Sequence, residues 1–237
     1  MRLLIVSSLL TVLSFAAPAT YADGLIYQLP ADGTSVEFEM KLSFERNGQT
    51  MNMDGTFSMS SVGKETVDGE ACRWVEFKMV WKQGDRDRTI HCKVLVPEKQ
   101  LAAGKSPIKH VKKAWLKQGD GEAKEMTDFS DPQAGPLPAF LAGPFKDAQK
   151  LEAETVDSGL GKLECKGVTG SVQFKLGSRD QEFTFTNRLH KKAPFGVVAA
   201  EVQIEITRDG QQARSGTMQI KVSKVGKNAV TEIPNGN

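Results

Sequence analysis

The chain has 237 residues, with 31 Lys plus Arg against 29 Asp plus Glu and a formal charge of +2. That length can bury a full core as one domain or two. Charged residues make up 25% and the AVILMFWYC set 39%, which excludes a disordered chain and an integral membrane protein; the near-neutral balance argues against a surface built throughout for nucleic acid.

Arg2 precedes an apolar run from Leu3 to Phe15, broken only by Ser and Thr, and the small-residue patterns Ala17-Pro18-Ala19 and Thr20-Tyr21-Ala22 follow. This predicts a secretory signal peptide over residues 1–22, cleaved after Ala22, because the run is well short of the ~20 residues a membrane span needs. No Cys occurs before Cys72, so no lipid-attachment cysteine lies at that site. Residues 23–237 are expected to form one β-rich domain, exported to the periplasm or beyond and soluble after cleavage.

Most of that domain reads as long antiparallel strands. Val36, Phe38, Met40, Leu42 and Phe44 alternate with polar residues up to Asn47-Gly48, the preferred pair for a two-residue hairpin turn. A turn there sets Phe44 opposite Met51, Leu42 opposite Met53, Phe38 opposite Phe57 and Val36 opposite Met59, so that apolar meets apolar on one face. Val75, Phe77, Met79 and Trp81 continue the pattern to Gly84-Asp85, and Ile90, Cys92, Val94 and Val96 line the return. Later, Val172, Phe174 and Leu176 face Phe183 and Phe185 across residues 177–180. A last hairpin runs from Val198–Ile206 to Met218–Val222, with a three-residue Arg208-Asp209-Gly210 loop predicted to keep the parity.

Residues 98–148 break the pattern. Ser106 as N-cap, Pro107 at the first position, Gly119 as terminator and Ile108, Val111 and Trp115 at helical spacing predict a short helix. Lys105, Lys109, Lys113 and Lys117 would form a stripe beside it, read either as a solvated face or as a contact for an anionic membrane surface. Then Pro132, Pro136, Pro138 and Pro144 are interleaved with Leu137, Phe140, Leu141 and Phe145, which no regular strand tolerates.

About ten strands, each apolar on one face only, cannot be covered by one helix and one loop if the sheet is flat. The fold class predicted is therefore mainly β: a long-stranded antiparallel sheet curled into a half-barrel or barrel, with the mid-chain helix and apolar loop as plug or lid.

The three histidines (His91, His110, His190) have no partner at metal-ligand spacing, and neither a nucleophile elbow nor a phosphate loop is present, so neither enzyme activity, cofactor nor metal is expected. Cys72 is five residues too far along its strand to reach Cys92; Cys92 with Cys165, or three free thiols, are both compatible with the parities. Met40, Met51, Met53, Met59 and Met79 give the inner face a side chain that adapts to varied shapes, which serves either plain core filling or a ligand. The candidate ligand-binding residues are Met40, Met51, Met53, Phe57, Leu137, Phe140, Leu141 and Phe145.

Lys192-Ala193-Pro194-Phe195-Gly196-Val197-Val198, followed by a hairpin and Val225-Gly226-Lys227-Asn228-Ala229, in a chain of long meandering strands with an apolar mid-chain loop, resembles periplasmic lipoprotein carriers of the LolA type and their half-barrel relatives. The resemblance covers about the last fifth of the chain. It implies a concave apolar surface that holds a lipid, an acyl chain or a lipidated protein, and transfers no individual binding residue. A structural envelope protein with a filled core is the alternative, and no nucleic-acid partner is expected.

Overall fold

The computed structural model describes residues 24–46, 48–101, 105–127, 137–176 and 178–233. The expected signal segment lies outside them. Eleven strands form one antiparallel sheet: β1 (Ser35–Arg46), β2 (Gln49–Val67), β3 (Glu70–Gln83), β4 (Arg86–Pro97), β5 (Lys113–Gln118), β6 (Lys124–Glu125), β7 (Lys146–Ser158), β8 (Gly161–Leu176), β9 (Arg179–Leu189), β10 (Val197–Arg208) and β11 (Gln211–Gly226). Their order across the sheet is β6-β5-β4-β3-β2-β1-β11-β10-β9-β8-β7. The sheet is open: a half-barrel whose two edges, β6 and β7, are consecutive in the chain.

The first hairpin has the register its alternation demands, with Phe44 opposite Met51, Leu42 opposite Met53, Phe38 opposite Phe57 and Val36 opposite Met59. Arg46 pairs with Gln49, so the turn has two residues; Asn47 itself lies outside the described residues, and Gly48 takes φ 73°, which a side chain would strain. Phe77 is opposite Cys92 as expected. Val172 faces Phe183, but the strands pair down to Leu176 and Arg179, so this turn is also two residues long.

The last hairpin differs from expectation. Arg208 pairs with Gln211 across a two-residue Asp209-Gly210 turn, and the parity is restored by an extra residue in β11, where Ile206 pairs with Arg214 and Thr207 with Gln212. Val202 then meets Met218 and Ala200 meets Ile220. A bulge inside a strand re-faces it as effectively as a longer loop.

The predicted helix does not form. Residues 107–110 make one 3₁₀ turn, and Lys113–Gln118 is a strand paired with β4. Ala114 and Leu116 reach the inner core while Trp115 packs on the outer face, so this stretch is buried on both sides. A strand buried on both sides has no period-2 signal, and Trp115 then falls at helical spacing from Ile108 and Val111, which precede the strand. Consequently Lys105, Lys109, Lys113 and Lys117 form no single stripe. Lys105 precedes the 3₁₀ turn, Lys109 is in it, Lys113 is bound to Glu65 at 2.9 Å, and Lys117 lies opposite His91.

The inner face carries one continuous core, including Val36, Phe38, Met40, Phe57, Met59, Phe77, Phe185, Val202, Met218 and Ile220. Two smaller clusters lie apart from it: Cys72, Trp74, Leu95, Trp115 and Ile233 in one, and Leu163, Cys165, Ala193 and Val198 in the other. Beyond the end of β9, the β7–β8 hairpin reaches β11, where the Gly159 amide donates to the Val222 carbonyl at 2.7 Å. A Cβ on Gly159 would lie 1.9 Å from the Ser223 oxygen, so only glycine fits the crossing.

Candidate functional site

The half-barrel has two unlike ends. At the end where β1 begins, the apolar loop enters the concavity through a single helical turn, α1 (Leu137–Phe140). The Phe140 ring sits 5.2 Å from Phe57 and 6.5 Å from Phe77, and Phe145 stacks on Phe185 at 5.2 Å. Ala139, Phe140, Leu141, Ala142 and Phe145 are all buried. This segment is a plug, as its composition predicts, seated against Phe57 of β2, Phe77 of β3 and Phe185 of β9.

Its backbone is held lightly. Among the described residues, Phe140 accepts from the Leu25 amide and Leu141 from the Ile108 amide, both at 3.1 Å, and no ladder bond joins residues 139–142 to a strand. Close packing does the rest: a Cβ on Gly24 would fall 2.4 Å from the Phe140 carbonyl oxygen. The same end is sealed by Arg73, buried on the inner face. Its Nε and one terminal nitrogen bind Glu98 at 3.0 and 2.7 Å, and the other nitrogen binds Pro30 O and Ser61 Oγ at 3.0 and 2.7 Å. Asn187 donates to Gly24 O and Tyr27 Oη, tying the N-terminal segment over that end.

At the opposite end, where four hairpins turn, the inner face continues beyond the plug. Phe44, Met53, Trp81, Ile90, Phe174 and Ile206 pack against the core but are only partly covered, and Met51 is 45% exposed. The Phe44 ring lies on Gly216, where a Cβ would come within 2.3 Å of it. An apolar floor thus runs from the plug to an open mouth.

The structure separates the candidate ligand residues into two groups. Met40, Phe57, Phe140, Leu141 and Phe145 meet at the plug, buried. Met51 and Met53 stand at the mouth. The side chain of Leu137 is outside the described residues. Missed from sequence were the mouth residues Trp81, Ile90, Phe174 and Ile206 as a set, because they come from three separate hairpins and only the strand order brings them to one end.

A second polar feature lies on the outer face. Glu76 accepts from the Glu232 amide at 3.2 Å and from the Thr231 hydroxyl, and contacts His91 Nε2 at 3.0 Å. Lys93 donates to Thr231 Oγ1 and Ile233 O, with its ammonium 4.8 Å from the Trp74 ring. Burial alone would raise the Glu76 carboxyl, but the bonds from His91, Thr231 and the Glu232 amide outweigh it and hold the group below the usual carboxylate range. Burial pushes Lys93 down, against the pull of Glu76 and Glu65. The cluster clamps the C-terminal segment to the sheet. Among the described residues, no group of three or more His, Cys, Asp or Glu is placed to hold a metal ion, and no helix is long and apolar enough to cross a membrane.

The three cysteines are free and buried, one in each apolar cluster. Cys72 lies opposite Pro97, five pairs from Cys92, and the Cys92–Cys165 pairing does not occur because the inner core and the β8 cluster are separate.

No family model matches the chain, and no curated protein matches it. Solved structures do. A DUF1329 family protein from Desulfovibrio piger is 11% identical, with 84% of this chain and 87% of that one covered, at a TM-score of 0.35. A protein named as a lipoprotein from Parabacteroides distasonis is 10% identical over 86% of this chain and 100% of its own, also at 0.35. A domain named as an outer membrane lipoprotein-sorting protein from Vibrio parahaemolyticus is 10% identical over 84% and 87%, at 0.31. The last is of the kind the sequence resemblance named. Likeness at this distance transfers no residue role.

Proposed function

We propose that this chain is an exported, non-enzymatic binding protein that holds the acyl chain of a lipid or lipidated protein against the inner face of its half-barrel. The observation that carries this reading is that the apolar inner face is longer than the plug that covers it. From Phe57 to Trp81 and Met51 the same face passes from buried to half-exposed without an intervening polar barrier.

The energetics of plug and acyl chain are balanced. Withdrawing Phe140, Leu141 and Phe145 from the core forfeits about 1.5–3 kcal/mol each. An acyl chain recovers about 0.8 kcal/mol per buried methylene, so some ten methylenes offset roughly the same sum. Among the described residues the centre of the plug is held to the rest of the chain by backbone hydrogen bonds from Leu25 and Ile108 and by none to a strand, so the plug can leave without unzipping one.

The test is native mass spectrometry of protein purified from its own envelope, alongside titration with a fluorescent acyl probe. Co-purified lipid or saturable probe uptake is the expected result. If neither lipid nor probe binds, and plug variants bind none either, the plug is a permanent core element and the chain is a filled structural protein.

A further inference from the structure

Paired residues in adjacent antiparallel strands share a face, so the register assigns every side chain at the mouth to the inner or outer side. Arg88 pairs with Trp81, and Arg86 with Gln83. Arg179 pairs with Arg208, and Arg214 with Ile206. Gln181 pairs with Phe174, and Gln118 with Ile90. All stand on the inner face, at or beyond the end of the apolar floor. The acids of the same strand ends stand on the other side: Asp54 pairs with Lys41, Asp87 with Lys82, Asp180 with Lys175, and Glu182 with Glu205.

The inner rim is therefore arginine and glutamine with no carboxylate among its described residues. The chain contains nine arginines and 22 lysines, yet among the described residues this rim uses five of the arginines and no lysine, Lys124 on the edge strand pairing deeper in the sheet with Leu116. Arg forms planar, paired hydrogen bonds to phosphate or carboxylate, which Lys cannot. Arg179 and Arg208 are direct cross-strand neighbours, an arrangement that costs stability unless something negative lies between or above them. Among the described residues, the single ion pair made by any of the five is Arg208 with Asp209, at 3.7 Å and largely exposed. Arg88 Nε donates to Gln83 Oε1 at 3.1 Å, and Arg214 lies over the Phe44 ring at 5.8 Å. At the sealed end, by contrast, Arg73 has all its partners within the chain.

We infer that the mouth selects an anionic lipid: a phospholipid whose acyl chain enters over Phe44, Met53, Trp81 and Phe174 while its phosphate is held by the arginine rim. This rests on the acyl-binding reading above and adds the headgroup to it. Charge complementarity decides the occupant, since a neutral or cationic headgroup would leave the opposed arginines uncompensated.

The experiment compares phosphatidylglycerol, phosphatidylcholine and diacylglycerol with identical acyl chains, presented in neutral detergent micelles at low salt. Displacement of a fluorescent acyl probe is the readout, for the wild type and for the Arg179→Gln/Arg208→Gln double variant. Phosphatidylglycerol is expected to bind about tenfold tighter than diacylglycerol, an advantage falling to within about twofold in the double variant. The double variant is expected to unfold at the same or higher denaturant than the wild type, because relieving the arginine pair removes repulsion. Equal binding of the three lipids overturns the headgroup inference and leaves the acyl-binding reading intact. Binding of none overturns both. Glycerol phosphate alone displacing the probe as well as the intact lipid overturns the assignment of the floor to an acyl chain.

Discussion

Phe145 lies so close to Gly170 that a Cβ built on the glycine would come within 2.6 Å of the phenylalanine side chain. The glycine in the middle of β8 is thus the seat of the plug's second anchor ring, which stacks on Phe185. Gly170→Ala is expected to overpack this seat by about 1–3 kcal/mol and to push Phe145 outward. Chemical denaturation should show that loss, and acyl-probe uptake should rise with strand content unchanged. A variant as stable as the wild type, with unaltered uptake, would show that the seat is not filled in solution.

Phe140 carries the first anchor, between Phe57 and Phe77. Phe140→Ala should cost about 3–5 kcal/mol if the ring is a fixed part of the core. Phe140→Asp should loosen the plug while the far-UV circular dichroism stays that of the sheet, since the strands make their own ladder bonds. Loss of the strand signal with no probe uptake would make the plug a core element rather than a lid.

The clamp on the C-terminal segment is pH-dependent. Glu76 is held below the ordinary value of 4.5, so its contribution is complete above the unfolded carboxylate range and is lost as pH falls through the depressed folded value. The protection of the Glu232 amide, measured against the free-chain exchange rate at the same pH, should therefore fall in acid, with Trp74 fluorescence reporting the same release. At neutral pH, Glu76→Gln should cost about 2 kcal/mol by removing one of the two carboxylates that act on Lys93 and weakening the bonds to His91, Thr231 and the Glu232 amide. The two proteins should converge in acid. A variant equal to the wild type at neutral pH would show that the clamp is not electrostatic.

The thiols should be silent. Burial raises all three above the usual thiol range, and each sits in a different apolar cluster. A thiol reagent should modify none rapidly in the native protein and all three in denaturant. A Cys72–Cys92 disulfide in a non-reducing peptide map would contradict the register that sets Cys92 opposite Phe77.

The β1–β2 hairpin was legible because its side chains face the core and the outside in turn, and the β3–β4 hairpin because apolar and polar residues alternate from Val75 to Met79 and from Ile90 to Val94, although the outer face there is itself buried. Residues 113–118 were not, because Ala114, Trp115 and Leu116 are buried on both faces and leave no alternation to read. The bulge in β11 was also hidden: sequence shows that parity must change between Ile206 and Met218 but not where the extra residue sits. The plug was foreseen from its prolines and apolar residues. The arginine rim was present in the sequence as arginines on the apolar parity beside the turns, at 86 and 88, 179, 208 and 214. Its meaning needed the strand order, which places separate hairpins around one mouth.

The first strand and the last are hydrogen-bonded neighbours in the middle of the sheet, Ser35 against Gly226 and Glu45 against Ser215. On either side lies a meander of local hairpins, β1 to β6 and β7 to β11, each able to zip up early at small loop-closure cost. The seam between them joins residues nearly the whole chain apart, so it forms last and slowly. Until it does, two apolar half-surfaces stand open with an unpaired strand at each boundary, the condition that invites aggregation. Substitutions along β1 and β11 will therefore act on the yield of folded protein more than on the affinity of the finished one.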